Sequence, residues 1–319
     1  LNMSIKKINT SAKATINTGF GENSTSYGGR FLRKEGKPNI QKRGIRFLER
    51  YSWFHTMLEV SSIHFFLVIL VFYIIVNILF ALVYYYIGVE HLSGMTTTSE
   101  ADKFIEAFFF SAQTFTTVGY GRISPTGIAT SAVAAFQALI GLLSFAVATG
   151  LMYGRFSKPT AYLKFSHNAI IAPYKDITAL MLRVAPYKNT TLTDAEARLT
   201  LGMMVEENGV RKNRFYQMEL EFEKVNALTL SWTIVHPITS TSPLYQFSEA
   251  DLMNSQAEVL VFIKAFDDMF SNTVVARTSY VVGEIIYGAK FLPMFHRNEE
   301  SNTTILDLEK LNEFERVEI

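Results

Sequence analysis

Cysteine is missing from all 319 residues. That removes any disulfide framework and any metal centre or cluster held by thiolates. A surplus of one charge is missing too. Thirty lysines and arginines face 29 aspartates and glutamates, a formal net charge of +1. A nucleic-acid-binding chain normally carries a basic excess, so no nucleic-acid partner is expected. Phosphate-cradling loops are lacking: after Gly119 and Gly121 the third glycine of GxGxxG is absent, and no P-loop occurs. None of the six histidines has metal-ligand spacing, and no nucleophile–base pair or paired carboxylates stand out, so no enzyme and no cofactor are expected. The first forty residues hold no apolar core, and no secretory signal is expected there. The first 29, polar and aperiodic, read as disordered. No internal repeat is evident.

Long apolar runs are what the chain does have. Hydrophobic residues make up 49% and the mean hydropathy is +0.15, an average over one strongly apolar half and one mixed half. No charged residue occurs from Val60 to Val89 or from Ile123 to Gly154. Each run exceeds the roughly 20 residues that cross a bilayer as a helix. Spans are expected at about 62–88 and 126–154. Tyr84, Tyr85 and Tyr86 sit where an aromatic belt would, and the second run is rich in the small residues that let helices pack closely in lipid. Ahead of the first span, apolar Phe47, Leu48, Tyr51, Phe54 and Leu58 recur at helical steps. Residues 41–59 therefore read as an amphipathic interfacial helix anchored by Trp53. Lys42, Arg43, Arg46 and Arg50 precede the first span, and Arg155, Lys158 and Lys164 follow the second. The positive-inside rule puts both termini, and residues 1–40 and 156–319 with them, in the cytoplasm. Neither span carries an arginine ladder, which excludes a voltage sensor of the usual kind.

Between the spans lies "SEADKFIEAFFFSAQTFTTVGYGRISP". Residues 101–114 suit a helix too short to cross, with Glu100 and Asp102 at its first turn, and the glycines break it. Irregular backbone at membrane depth survives only inside protein or along a water-filled path, so 101–121 reads as a re-entrant helix and loop. The C-terminal dipole of that helix favours a cation beyond it. Alternation through Thr117, Val118, Gly119, Tyr120 and Gly121 can turn successive carbonyls to one side. One chain supplies one carbonyl per layer, too few to replace a hydration shell. Four chains around an axis supply rings of four.

TVGYG between two spans resembles the filter of potassium channels. The stretch from Arg30 to Phe295 resembles an inward-rectifier potassium channel of the prokaryotic branch. Four blocks carry the likeness: "FFFSAQTFTTVGYGRISP", "GLLSFAVATGLMYGRFSKP", "LSWTIVHPITSTSPLY" and "DDMFSNTVVARTSYVVGEIIYGAKFLPMF". The last two matter most, because many potassium channels share the filter without this C-terminal half. In that half, short alternating runs such as "ALMLRVAP", "RFYQMELEFE", "ALTLSWTIVHP" and "AEVLVFIKAF", punctuated by Asn, Gly, Pro and Ser, suggest an antiparallel sandwich. The resemblance implies an immunoglobulin-like cytoplasmic domain, to which "GGRFLRKEGKPNIQ" adds a strand. The expected fold is thus a membrane α-helical two-span pore domain, with re-entrant pore helix and filter, plus an all-β sandwich.

The resemblance also implies a homotetramer in the bacterial plasma membrane, with K+ bound only at Thr117–Gly121. It implies bending points at Gly141 and Gly150, although close helix packing explains glycines equally well. Tyr153 corresponds to the bulky residue at the bundle crossing, against a lipid-facing tyrosine as the plainer reading. Gly288-Ala289-Lys290 correspond to a loop that narrows the cytoplasmic pore. Two positions depart from the pattern. Phe145 stands where strong rectifiers carry an acidic residue, which argues against strong polyamine block there. Gln113 replaces the glutamate that usually pairs with an arginine beyond the filter, and Arg122 comes one position early. Glu106 is the substitute partner for Arg122, with an outward-facing carboxylate as the preferred reading. Arg43, Arg46, Arg50, Arg155 and Lys158 form a cluster at one membrane surface that attracts anionic headgroups, or else merely sets topology. Two other functions compete: a weakly selective cation channel of the same fold, and a membrane-tethered β-sandwich receptor with an inert loop.

Overall fold

A computed structural model of the chain describes residues 9, 11–14, 30–44, 46, 52–97, 99–207 and 210–319. They fall into two compact units, 43–158 and 159–319 together with the N-terminal residues up to 42.

The first unit is helical. Helix α1 (Trp53–Glu59) is capped by Ser52, whose hydroxyl accepts from His55 N. Arg43 and Arg46 are exposed and not helical. Of the expected 41–59 helix, 45 and 47–51 lie outside the described residues. Helix α2 (Ser62–Ile87) is 26 residues long and α4 (Ile128–Phe156) is 29. At 1.5 Å per residue the shorter reaches about 39 Å, more than a hydrocarbon core of about 30 Å. Each helix has mostly exposed apolar side chains: Ile63, Phe66, Leu70 and Ile74 on α2, Phe136, Leu142 and Phe145 on α4. Apolar faces this wide need lipid or protein against them. Between the two helices, α3 (Glu100–Phe115) begins with Glu100 and Asp102 and buries Ala107, Phe110, Ser111 and Phe115. A two-residue ladder, β1 (Leu92–Ser93) with β2 (Ser124–Pro125), ties the chain leaving α2 to the chain entering α4.

The second unit is a pair of five-stranded sheets around one core. In the first sheet the order is β11 (Asn272–Val281), β10 (Glu258–Asp267), β6 (Leu192–Glu207) and β7 (Val210–Met218), with β8 (Lys224–Leu228) also on β6. In the second it is β12 (Ile285–Tyr287), β4 (Ala169–Tyr174), β5 (Ile177–Pro186) and β3 (Leu163–Phe165), with β9 (Trp232–Pro237) also on β5. Leu180, Leu182 and Ile234 of one sheet meet Leu199, Leu201, Val259 and Val261 of the other.

Three details depart from the strand pattern read in the sequence. The pairing of β4 with β12 is parallel. "ALTLSWTIVHP" is two strands in different sheets, because the chain crosses the sandwich at 229–231; both halves are apolar, so the crossing leaves no mark in the pattern. Among its described residues, 30–41, "GGRFLRKEGKPNIQ" adds no strand. Its described residues form a hairpin with one bridge, Leu32 to Pro38. Side chains hold that hairpin: the buried Glu258 carboxylate accepts from Phe31 N at 2.5 Å and Leu32 N at 3.1 Å, and Ser279 Oγ donates to Leu32 O at 2.8 Å.

Candidate functional site

Residues 116–121 leave the C-terminal end of α3 with a backbone that alternates in hand. Thr117 (φ 59°), Gly119 (φ 50°) and Gly121 (φ 82°) are left-handed, whereas Val118 and Tyr120 are not. Such alternation turns successive peptide groups the same way, with carbonyls on one side of the strand and N–H groups on the other. Glycine takes the left-handed conformation without cost. Thr117 is β-branched, and holding it there costs about 1–3 kcal/mol, which the surroundings must supply. The Gln113 carbonyl supplies part of it by accepting from Val118 N at 3.0 Å. The Gln113 side chain makes no hydrogen bond to the described residues of its own chain; its contribution to the loop is the main-chain carbonyl. On the other side the loop is open within one chain. Tyr120 is 80% exposed, and a Cβ added at Gly119 or Gly121 would meet no described atom within 4 Å.

Glu106 does not face outward. It is buried, and Arg122 donates to its Oε1 at 2.9 Å. Thr96 N and Thr97 Oγ1 donate to Oε2 at 3.1 and 3.2 Å, and Thr96 Oγ1 donates to Oε1 at 3.2 Å. The register decided this: Glu106 lies on the α3 face turned to the 96–97 loop, where Arg122 arrives from beyond the filter. A buried carboxylate needs such partners. Arg122, one position early in the sequence, therefore has a partner, and Gln113 is not it.

Four further polar side chains meet between the helices, and one of them, Tyr84, expected in an aromatic belt, is fully buried instead because its hydroxyl donates to Gln137. Asn77 and Tyr84 of α2, Ser111 of α3 and Gln137 of α4 are all fully buried and hydrogen-bonded to one another. A signal was present: Asn77 and Gln137 are the only amide side chains in their apolar helices, and intramembrane polar residues rarely lack a role.

Comparison with known proteins bears on what this arrangement is. Residues 163–319 match the inward rectifier potassium channel C-terminal domain, and residues 68–158 match the ion channel family model. The inward rectifier potassium channel Kirbac3.1 of Paramagnetospirillum magnetotacticum is 34% identical over 289 residues, covering 89% of this chain and 95% of that protein. G protein-activated inward rectifier potassium channel 2 of Homo sapiens is 26% identical over 325 residues, covering 89% of this chain and 75% of its own. The chain belongs to the inward rectifier potassium channel family. It shares more identity with the prokaryotic member than with the human one. It is a membrane protein of a family of channels, not of enzymes.

For this channel-family chain, the remaining candidate residues divide as follows. Helix α4 runs unbroken through Gly141 and Gly150. At Gly141 a Cβ would lie 1.9 Å from Phe115 O, so close packing against the end of α3 accounts for that glycine. At Gly150 a Cβ would meet nothing within 4 Å. Phe145 and Tyr153 are 72% and 74% exposed in the single chain. Arg155 is half-buried and committed: it donates to Met57 O at 2.6 Å and Val60 O at 2.8 Å, capping the end of α1, and lies 4.7 Å over the Phe65 ring. Lys158 comes within 3.9 Å of Glu59. Arg43 and Arg46 are exposed, and Arg50 lies outside the described residues. Among the described residues no cluster of acidic or histidine side chains suits a metal ion.

Proposed function

We propose that four copies of this chain form a potassium-selective channel of the inward-rectifier type, in which the backbone of Thr117–Gly121 replaces the water around a permeating K+. The observation that carries this is the alternating hand of that segment at the end of the short helix α3. A bare cation in a low-dielectric site is too costly unless oxygens replace its hydration shell, and rings of four aligned carbonyls do so. The dipole of α3, with its C-terminal end at the loop, adds to the attraction. Glu106 and Arg122 brace the loop from outside and Gln113 O braces its start. This bracing favours the selective channel over the weakly selective alternative.

In the same reading the channel sits in a bacterial plasma membrane with both termini cytoplasmic. K+ moves passively down its gradient, and a ring of four Tyr153 side chains gates the inner end by excluding water. Gly150, free of packing constraint, is the better hinge candidate on α4. Arg43, Arg46 and Arg50, with Lys158, attract anionic lipid headgroups, at about 1 kcal/mol per cation near the surface. Arg155 acts in this site chiefly by holding α1 to the end of α4.

The test is purified protein in liposomes of defined lipid. Barium-sensitive rubidium uptake, and a reversal potential that follows potassium under opposed potassium and sodium gradients, are expected. A monomer in the bilayer, or no potassium conductance with any lipid, overturns the reading.

A further inference from the structure

We propose that Asn77, Tyr84, Ser111 and Gln137 are positioning residues that fix the height and rotation of α3, and through it the ion discrimination of the loop. The inference rests on the channel reading above, and none of the four side chains touches the ion.

Tyr84 Oη donates to Gln137 Oε1 at 2.7 Å. That turns the Gln137 amide nitrogen towards Ser111, where it donates to Oγ at 2.6 Å and to the carbonyl oxygen at 3.0 Å. Ser111 Oγ in turn donates to Asn77 Oδ1 at 2.9 Å, and Asn77 Nδ2 donates to Tyr73 O at 2.8 Å. The chain of bonds runs from α2 through α4 and α3 back to α2. Each amide has one orientation that satisfies it, so the arrangement has one register. The Tyr84 ring packs edge-on against Phe110, with centroids 5.1 Å apart.

The position of this cluster matters as much as its closure. Ser111 is one helical turn before Phe115, and Gln137 is one turn before Gly141. The polar contact from Gln137 to Ser111 is followed, one turn on along both helices, by the close approach of Gly141 to Phe115 O. Two residues after Phe115 comes Thr117, the first left-handed residue of the loop. A purely apolar seam between helices in lipid tolerates sliding and rotation, because lipid tails compete equally for its surface. Directional bonds in a low-dielectric interior do not: a displaced α3 leaves several buried polar atoms unpaired. The cluster therefore makes one setting of the helix end much better than its neighbours, and the carbonyl spacing of the loop depends on that setting.

The test uses full-length protein in liposomes, with tetramer assembly checked by size. Sodium and rubidium uptake are measured for wild type, Gln137→Leu, Ser111→Ala and Tyr84→Phe. In assembled Gln137→Leu the sodium-to-rubidium ratio should rise by roughly threefold to thirtyfold, the range expected of a coupling residue outside the site. Tyr84→Phe and Ser111→Ala, which each remove one hydroxyl, should raise it by less. A cluster that only stabilises the fold would lower total flux or assembly at an unchanged ratio, and that result overturns the proposal. If Gln137→Leu fails to assemble, unchanged ratios in both hydroxyl variants overturn it as well. A wild type that takes up no rubidium indicts the channel reading; a selective wild type with equally selective variants indicts this inference alone.

Discussion

Gly119 and His236 show how single side chains in the two units are constrained. At Gly119 a Cβ meets no neighbour, yet φ is 50° in a segment whose hand alternates residue by residue. The objection to a larger residue is therefore conformational. Gly119→Ala should abolish rubidium flux while leaving tetramer assembly intact; normal flux would mean that the alternation is not needed. His236 is almost wholly buried in the sandwich. Its Nδ1 lies 2.6 Å from Glu219 O and its Nε2 2.8 Å from Ser242 Oγ. The carbonyl needs a donor, so Nδ1 carries the proton and Ser242 donates to Nε2. Burial lowers the pKa of this imidazole, with the Glu219 carbonyl and carboxylate opposing that shift. The unfolded chain takes up a proton near pH 6.5 and the folded chain resists it. The contribution of His236 to stability is thus whole above that pH and is lost as pH falls towards the lowered folded value. Thermal melts from pH 8 to 5 should show a declining midpoint, and His236→Gln should flatten the decline across pH 7 to 5. The carboxylates with lowered pKa, Glu284 among them, lose their contribution only further into acid.

Helices α3 and α4 meet through two unlike contacts one turn apart, and the glycines of α4 are correspondingly unlike. A Cβ at position 141 would run into backbone, 1.9 Å from Phe115 O and 2.8 Å from its carbonyl carbon. Gly141→Ala should therefore cost about 1–3 kcal/mol through overpacking. Gly150→Ala meets nothing and should be neutral or stabilise the helix by up to about 1 kcal/mol. Thermal unfolding of the two variants checks the contrast, and equal effects would contradict it. Sequence alone left both positions open between bending and packing, because a glycine looks the same in either role until its neighbour is known. Glu106 is a parallel case. Its type and helix were readable, but whether it faced lipid or Arg122 depended on how the 96–97 loop folds back over α3. The N-terminal hairpin is a third: the resemblance implies a strand at "GGRFLRKEGKPNIQ", yet its hairpin docks through the Glu258 carboxylate more than 200 residues away.

The whole chain exposes apolar faces on α2 and α4 that suit a bilayer and other copies of itself. It also carries cations just before α1 and just after α4. Anionic lipid should therefore change the rubidium flux of the reconstituted protein, and replacing Arg43, Arg46 and Arg50 together by Gln should remove most of that dependence. Equal flux with and without anionic lipid would leave these arginines to topology alone. Arg155 is kept out of this test, because its bonds to Met57 O and Val60 O make it part of the fold.

Two charge-free runs and a TVGYG loop between them were enough to read off a membrane channel, and the blocks Leu230–Tyr245 and Asp267–Phe295 carried the resemblance to its family. These signals are local: span length, charge distribution and a contiguous pentapeptide need no knowledge of what lies across the fold. The turn of Glu106 to Arg122 rather than outward, the reason for Gly141, the closed circuit of Asn77, Tyr84, Ser111 and Gln137, and the crossing between sheets at 229–231 came from folding alone. Each depends on which residues far apart in the chain come within a few ångströms, and hydrogen bonds and steric exclusion act only over that range.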